Sequence, residues 1–186
     1  LILPLSSYGI GLGYDAGLYH LNFQSWIRNS KIVFGLSNLH SRYGYSSLFD
    51  YVSSNFWLNN DFLLIHFLNL TFIVFFFHII FSTVNNKSDR FFGLSVMFFG
   101  VLDNFGFAGG KNGYVEIESI TKYDTVFGII FFTSFFLIIK SLRKKTLTKL
   151  ELSLLLLLIT LSFQLRPTGL LLLVPLIPLI VKKFQA

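Results

Sequence analysis

Residues 62–84, FLLIHFLNLTFIVFFFHIIFSTV, run without a single Asp, Glu, Lys or Arg. At a rise of about 1.5 Å per residue, a helix of that length crosses a hydrocarbon core of roughly 30 Å. This run constrains the chain more than any other feature, and composition agrees with it. The chain is 53% hydrophobic and only 13% charged, too few charges to cover a soluble domain of its size. Shorter apolar runs at 91–107 and 125–139 lie between polar loops. Two more, 150–165 and 168–181, flank QLRPTG, where Pro167 and Gly169 predict a helix break. Their lengths leave two short crossings and a re-entrant pair both open. The first residue is Leu1 and residues 1–13 read as the end of an apolar helix, so the chain is expected to be part of a longer protein.

Charge placement predicts orientation. Lys87 and Arg90, then Lys140, Arg143, Lys144, Lys145 and Lys149, then Lys182 and Lys183 fall in alternate loops. The excess of cations in cytoplasmic loops puts those three inside. Residues 14–61, 108–124 and the turn at Arg166 are then expected outside. The net charge of +6 reads as a topology signal, and nucleic-acid binding is set aside. Cysteine is absent, which removes disulfides and thiolate metal sites. The predicted fold class is all-α, a multispanning transmembrane helical bundle forming one transmembrane domain. Its large outer loop, 14–61, is expected to carry amphipathic interfacial helices.

That loop is longer than ordinary connections, and aromatic and aliphatic residues run through it from Tyr14 to Trp57, the composition of a packed segment. On a helix, Asp15, Tyr19, Asn22 and Trp26 fall at i, i+4, i+7 and i+11, one polar and aromatic stripe beside Tyr14, Leu18 and Leu21. The plain reading is an interfacial helix with an aromatic belt; the functional one turns its acid toward a cavity. Gly9, Gly13 and Gly17 form a small-residue face suited to close helix packing. His66 and His78 lie within the apolar run, where hydrogen bonds between helices are the expected role. Asp103, inside another run, is expected to face a cavity or a partner.

The stretch YDAGLYHLNFQSWIRNSKIVFGLSNLHSRYGYSS, with its YD-x-x-x-YH and G-x-x-N-L-H-x-R segments, resembles the first outer loop of a family of bacterial multispanning proteins. That family is in turn similar to the GT-C glycosyltransferases, which take a sugar from a polyprenyl-phosphate carrier on the outer face of the membrane. The resemblance implies a GT-C-like fold, a bacterial inner (plasma) membrane location, and Asp15 as catalytic base. ESITKYD, residues 118–124, resembles the second outer acidic motif, which makes Asp124 the second catalytic acid. LRPTGLLLL, residues 165–173, resembles a basic and small-residue motif that follows. Many relatives have two adjacent acids in the first loop, whereas this chain has Asp15 alone with His20 nearby.

The chemistry of such a site can be stated from the residues. Glycosyl transfer needs a base for the acceptor hydroxyl. It also needs positive charge for the departing polyprenyl phosphate. Outer cations run against the topological bias, so Arg28, Arg42, Lys111, Lys122 and Arg166 are informative, and Arg42 and Arg166 are preferred because a guanidinium fork matches phosphate oxygens. Tyr19, His20, Trp26, Asn38 and His40 complete the candidate substrate-binding set. Asp124 as a first-turn acid favoured by the helix dipole, and Arg166 as an interfacial anchor, are the plain alternatives. Glu116 and Glu118 would face one way on an extended segment; with Asp15 they leave a divalent cation open, and metal and cofactor are unknown. The expected partners are the lipid bilayer, a polyprenyl-phosphate-linked sugar and an acceptor of unknown identity. A transporter or flippase and a non-catalytic membrane scaffold are the competing readings; the first would place its polar groups near the bilayer midplane.

Overall fold

The structure is a computed structural model that describes residues 15–30, 32–44, 47–59, 61–83, 87–104, 123–144 and 148–184. Among these residues the regular structure is helical, with one isolated bridge pairing Leu58 and Asp61. The all-α expectation is met. The chain divides into two compact units, Leu1–Thr125 and Val126–Ala186.

In the first unit, a π-helical turn at Ala16–His20 runs into α1, Leu21–Asn29. There follow α2, Leu36–Leu39, a 3₁₀ turn at Ser41–Gly44, α3, Leu48–Ser53, and a 3₁₀ turn at Ser54–Phe56. Two long helices complete it, α4 over Leu63–Thr83 and α5 over Lys87–Asn104. The entry to α4 is set by a tight turn. Leu58 and Asp61 exchange backbone hydrogen bonds of 3.1 and 2.9 Å, and the Asp61 carboxylate accepts the Leu63 N–H at 2.9 Å, supplying one of the donors a helix start leaves open.

Along α4, Ile65, Asn69, Ile73, Phe76 and Ile80 are buried at helical spacing, while Leu64, Phe67, Val74, Phe75 and Phe81 are exposed. A helix apolar on all sides has no water-facing side, the pattern of a helix that meets lipid or further protein. His66 is buried, whereas His78 is exposed. Three residues separate Asn69, Ile73, Phe76 and Ile80 from one another or four do, whereas His78 falls between these rows. Gly93 lets α5 approach: a Cβ there would lie 2.7 Å from Ile80 Cγ2.

The second unit takes in α6, Asp124–Leu142, from Val126 onward, then α7, Lys149–Leu165, a 3₁₀ turn at Pro167–Leu172 and α8, Leu173–Phe184. Thr148 caps α7: its hydroxyl accepts the Glu151 N–H at 3.2 Å and Glu151 returns a carboxylate to the Thr148 N–H at 3.0 Å, a reciprocal capping box. Lys144 pairs with the same carboxylate. Ile138, Leu155, Ile159, Leu172, Leu176 and Leu179 form the core of this unit. The break expected around Pro167 and Gly169 is present, and residues 168–172 are 3₁₀ where a helix was expected. Arg166 is extended between the two segments, its N–H bonded to the Ser162 carbonyl and its own carbonyl to the Gly169 N–H.

Among the described residues two helices, α4 over Leu63–Ser82 and α6, are long and apolar enough to cross a membrane, and Pro167–Val181 is a shorter apolar segment.

Candidate functional site

The site is built on the π turn. The Leu21 N–H reaches back to the Ala16 carbonyl, five residues earlier, in place of the four of an α-helix. That extra residue shifts everything after it by about 100° around the axis. The single stripe expected from α-helical spacing is therefore divided. Asp15 and Tyr19 stay together: the Asp15 carboxylate lies near enough to the Tyr19 phenol to raise its pKa. Asn22 is exposed and donates to the Gly17 and Leu18 carbonyls, both at 3.1 Å, acceptors that the wide turn leaves accessible. Leu21 is buried whereas Leu18 is exposed. Gly17, expected in a close-packing face with Gly9 and Gly13, has no described atom within 4 Å of where a Cβ would sit. Gly9 and Gly13 lie outside the described residues.

Tyr19 is the centre of the cluster. The Arg42 guanidinium lies over its ring at 5.4 Å from the centroid, a cation on the negative face of the π-system. His40 stacks on it at 6.3 Å and 11°, and His20 packs against it at 4.3 Å. His40 Nδ1 accepts the Arg42 backbone N–H at 3.2 Å, so in the neutral ring the proton sits on Nε2. Burial first, and then the nearby Asp15 charge, push the Tyr19 phenol above its ordinary value of 10.0, with Arg42 acting in the opposite direction. Tyr19 thus keeps its phenolic proton at neutral pH. Asp15 and Arg42 are both exposed.

Inside this exposed layer lies a buried network. His20 Nδ1 is 3.3 Å from Asp50 Oδ1, and Gln24 Nε2 donates to the same oxygen at 3.4 Å. The Ser47 N–H donates to Asp50 Oδ2 at 3.3 Å, while the Ser47 hydroxyl accepts the Phe49 N–H at 3.2 Å. Gln24 in turn accepts from Trp57 Nε1 at 2.8 Å. Arg28 lies over the Trp57 ring at 5.1 Å and donates to the Ser54 and Trp57 carbonyls. Gln24 is 0% and Asp50 3% exposed, and buried polar groups of this kind are tolerated because their donors and acceptors are matched. The network ties π turn, α1, α3 and the Trp57 segment into one support for Tyr19.

Of the expected site residues, Asp15, Tyr19, His40 and Arg42 are brought together. His20 adjoins them, but its imidazole is buried against Asp50, Tyr19 and Tyr123. Trp26 joins only through Tyr43, whose ring meets it at 4.9 Å. Asn38 is exposed in α2. Asp124 opens α6, and the residue before it, Tyr123, lies edge-on to His20 at 5.7 Å and near Phe49 at 6.2 Å. Arg166 belongs to the second unit, with its guanidinium 5.8 Å from the Phe127 ring. Lys111, Glu116, Glu118 and Lys122 lie outside the described residues, and the side chain of Asp103 is among those not described. Among the described residues no group of three His, Asp or Glu gathers as a metal site would.

Sequence reasoning missed Asp50, Gln24, Tyr43 and Tyr123. For Asp50 a signal exists: Ser47-Leu-Phe-Asp50 has the spacing of a capping box, and the structure forms it. The other three carry no local signal, since each is defined by a partner distant in the chain.

The family described as a domain of unknown function (DUF8201) matches residues 1–186, and the chain belongs to it. No curated protein and no solved structure matches the chain.

Proposed function

We propose that this member of the DUF8201 family is a membrane glycosyltransferase, moving a sugar from a polyprenyl-phosphate donor to a hydroxyl acceptor on the outer face of the membrane. The observation that supports it best is the meeting of an exposed carboxylate, Asp15, and an exposed guanidinium, Arg42, on one phenol, Tyr19. Transfer of a glycosyl group needs both. The acceptor hydroxyl oxygen bonds to the anomeric carbon as its proton passes to Asp15. The bond from that carbon to the donor phosphate oxygen breaks, and its electron pair leaves with the polyprenyl phosphate. A placed base contributes about 10²–10⁴ in rate.

Arg42 meets the charge that develops on the phosphate, since a fork of N–H donors satisfies two phosphate oxygens at once. Asp124 is the second acid of the site. Tyr19, His40, Trp26 and Asn38 supply aromatic and amide surface for the sugar, and His20 acts by holding Tyr19.

The deciding experiment replaces Asp15 with Asn in the full-length protein. Consumption of a polyprenyl-phosphate-linked sugar in membranes should fall about 10²-fold or more, with membrane insertion unchanged. Wild-type turnover in that variant rejects Asp15 as the base.

A further inference from the structure

The loop that carries His40 and Arg42 also carries apolar side chains that no described residue covers. Phe34 is 90%, Leu39 73% and Ile32 72% exposed. Gly35, at φ 79°, makes the tip, a left-handed conformation that suits a residue without Cβ. Asn38 closes the turn by donating its N–H to the Gly35 carbonyl at 2.9 Å. The apolar residues are therefore presented by a built turn. Their electrostatic setting is one-sided: between Asp15 and Asp50 the chain has no acid but carries Arg28, Lys31 and Arg42.

We infer that residues 32–39 form a membrane-interface anchor, with Ile32, Phe34 and Leu39 seated among the acyl chains just below anionic lipid headgroups. This rests on the reading that the chain resides in a membrane. Large apolar side chains left in water cost free energy in proportion to area, and the leaflet removes that cost while the net positive charge of the flanking segments attracts the headgroups. A partner protein would remove the apolar cost as well, but the unbroken positive flank is complementary to an anionic lipid surface. The anchor fixes the depth of His40 and Arg42, which follow it directly, at the headgroup level where a lipid-linked phosphate sits.

The absence of cysteine allows a clean test. Nitroxide labels are placed singly in the full chain as Phe34→Cys and Leu39→Cys. Val74→Cys, on an exposed face of α4, and Arg143→Cys, in an exposed turn, serve as references. Each is reconstituted in vesicles of equal parts phosphatidylglycerol and phosphatidylcholine, and its relaxation by oxygen and by a water-soluble nickel complex is measured. The Phe34 and Leu39 labels should match the Val74 label, open to oxygen and closed to nickel, and should gain nickel access in pure phosphatidylcholine. Labels that match Arg143 while Val74 stays in lipid overturn the anchor and leave the membrane reading standing. Labels closed to both agents show a protein contact, such as a second copy, and also overturn it. A Val74 label open to nickel removes the membrane reading and the anchor together.

Discussion

Asp50 and His20, 30 residues apart in the chain, meet in the interior with Oδ1 and Nδ1 separated by 3.3 Å. The same carboxylate receives Gln24 and the Ser47 N–H, so Asp50 is where three segments are joined. Asp50→Ala leaves these donors buried without an acceptor and should destabilise the protein by about 2–4 kcal/mol. Asp50→Asn, which keeps an acceptor oxygen, should cost less. Denaturant unfolding of the purified protein in detergent measures both, and equal stability of wild type and Asp50→Ala would deny the network its structural role.

Gly169 makes a second sharp prediction. A Cβ there would sit 2.5 Å from the Phe163 nitrogen and 2.6 Å from the Ser162 oxygen. These are backbone atoms of α7 and cannot swing aside. Gly169→Ala should therefore destabilise the second unit by at least about 2 kcal/mol, as overpacking against fixed atoms does. Gly128→Ala in α6 is the control. Nothing described lies within 4 Å of its would-be Cβ, and in a helix the change should stabilise by about 0.5–1 kcal/mol.

Tyr19 predicts a pH dependence with a definite sign. Its phenol is raised above 10.0 by burial and by Asp15. A group whose folded value is raised contributes stability that is fully present below its unfolded value. That contribution is lost as pH rises through the folded value, so the loss belongs to the strongly alkaline range. Ultraviolet titration should show one tyrosine ionising late, and Tyr19→Phe should remove that step. Asp15→Asn should move it down, though not fully to 10.0, because burial remains. No change in the titration on replacing Asp15 would contradict the contact between the two side chains.

Orientation is tested by labelling. With the loop 14–61 outside, Ser37→Cys should react in whole cells with an impermeant maleimide, and Arg143→Cys only after lysis. Both positions are exposed in the protein. The reverse pattern would place the proposed site in the cytoplasm and end the outer-face reading.

The sequence by itself determined the helical class and where the long helices run. The uncharged stretch at 62–84 is the helix Leu63–Thr83, and the run at 125–139 lies within Asp124–Leu142. Pro167 and Gly169 marked the break now found between α7 and α8. These features are local: hydrophobic run length, charge and backbone restriction act within a few residues. The YD-x-x-x-YH segment likewise held Asp15, Tyr19 and His20, and the N-L-H-x-R segment held His40 and Arg42. Only the tertiary structure decided which of them meet. One added residue in the turn at Ala16–His20 kept Tyr19 with Asp15 and separated both from Asn22 and Trp26, and α-helical spacing cannot anticipate a π turn. Asp50 meets His20 and Gln24, and Trp57 meets Gln24, only after the chain has folded back over distances of 26 to 33 residues. Such pairs are selected by burial, which makes every unmatched polar group costly, and burial is a property of the packed chain rather than of any segment within it.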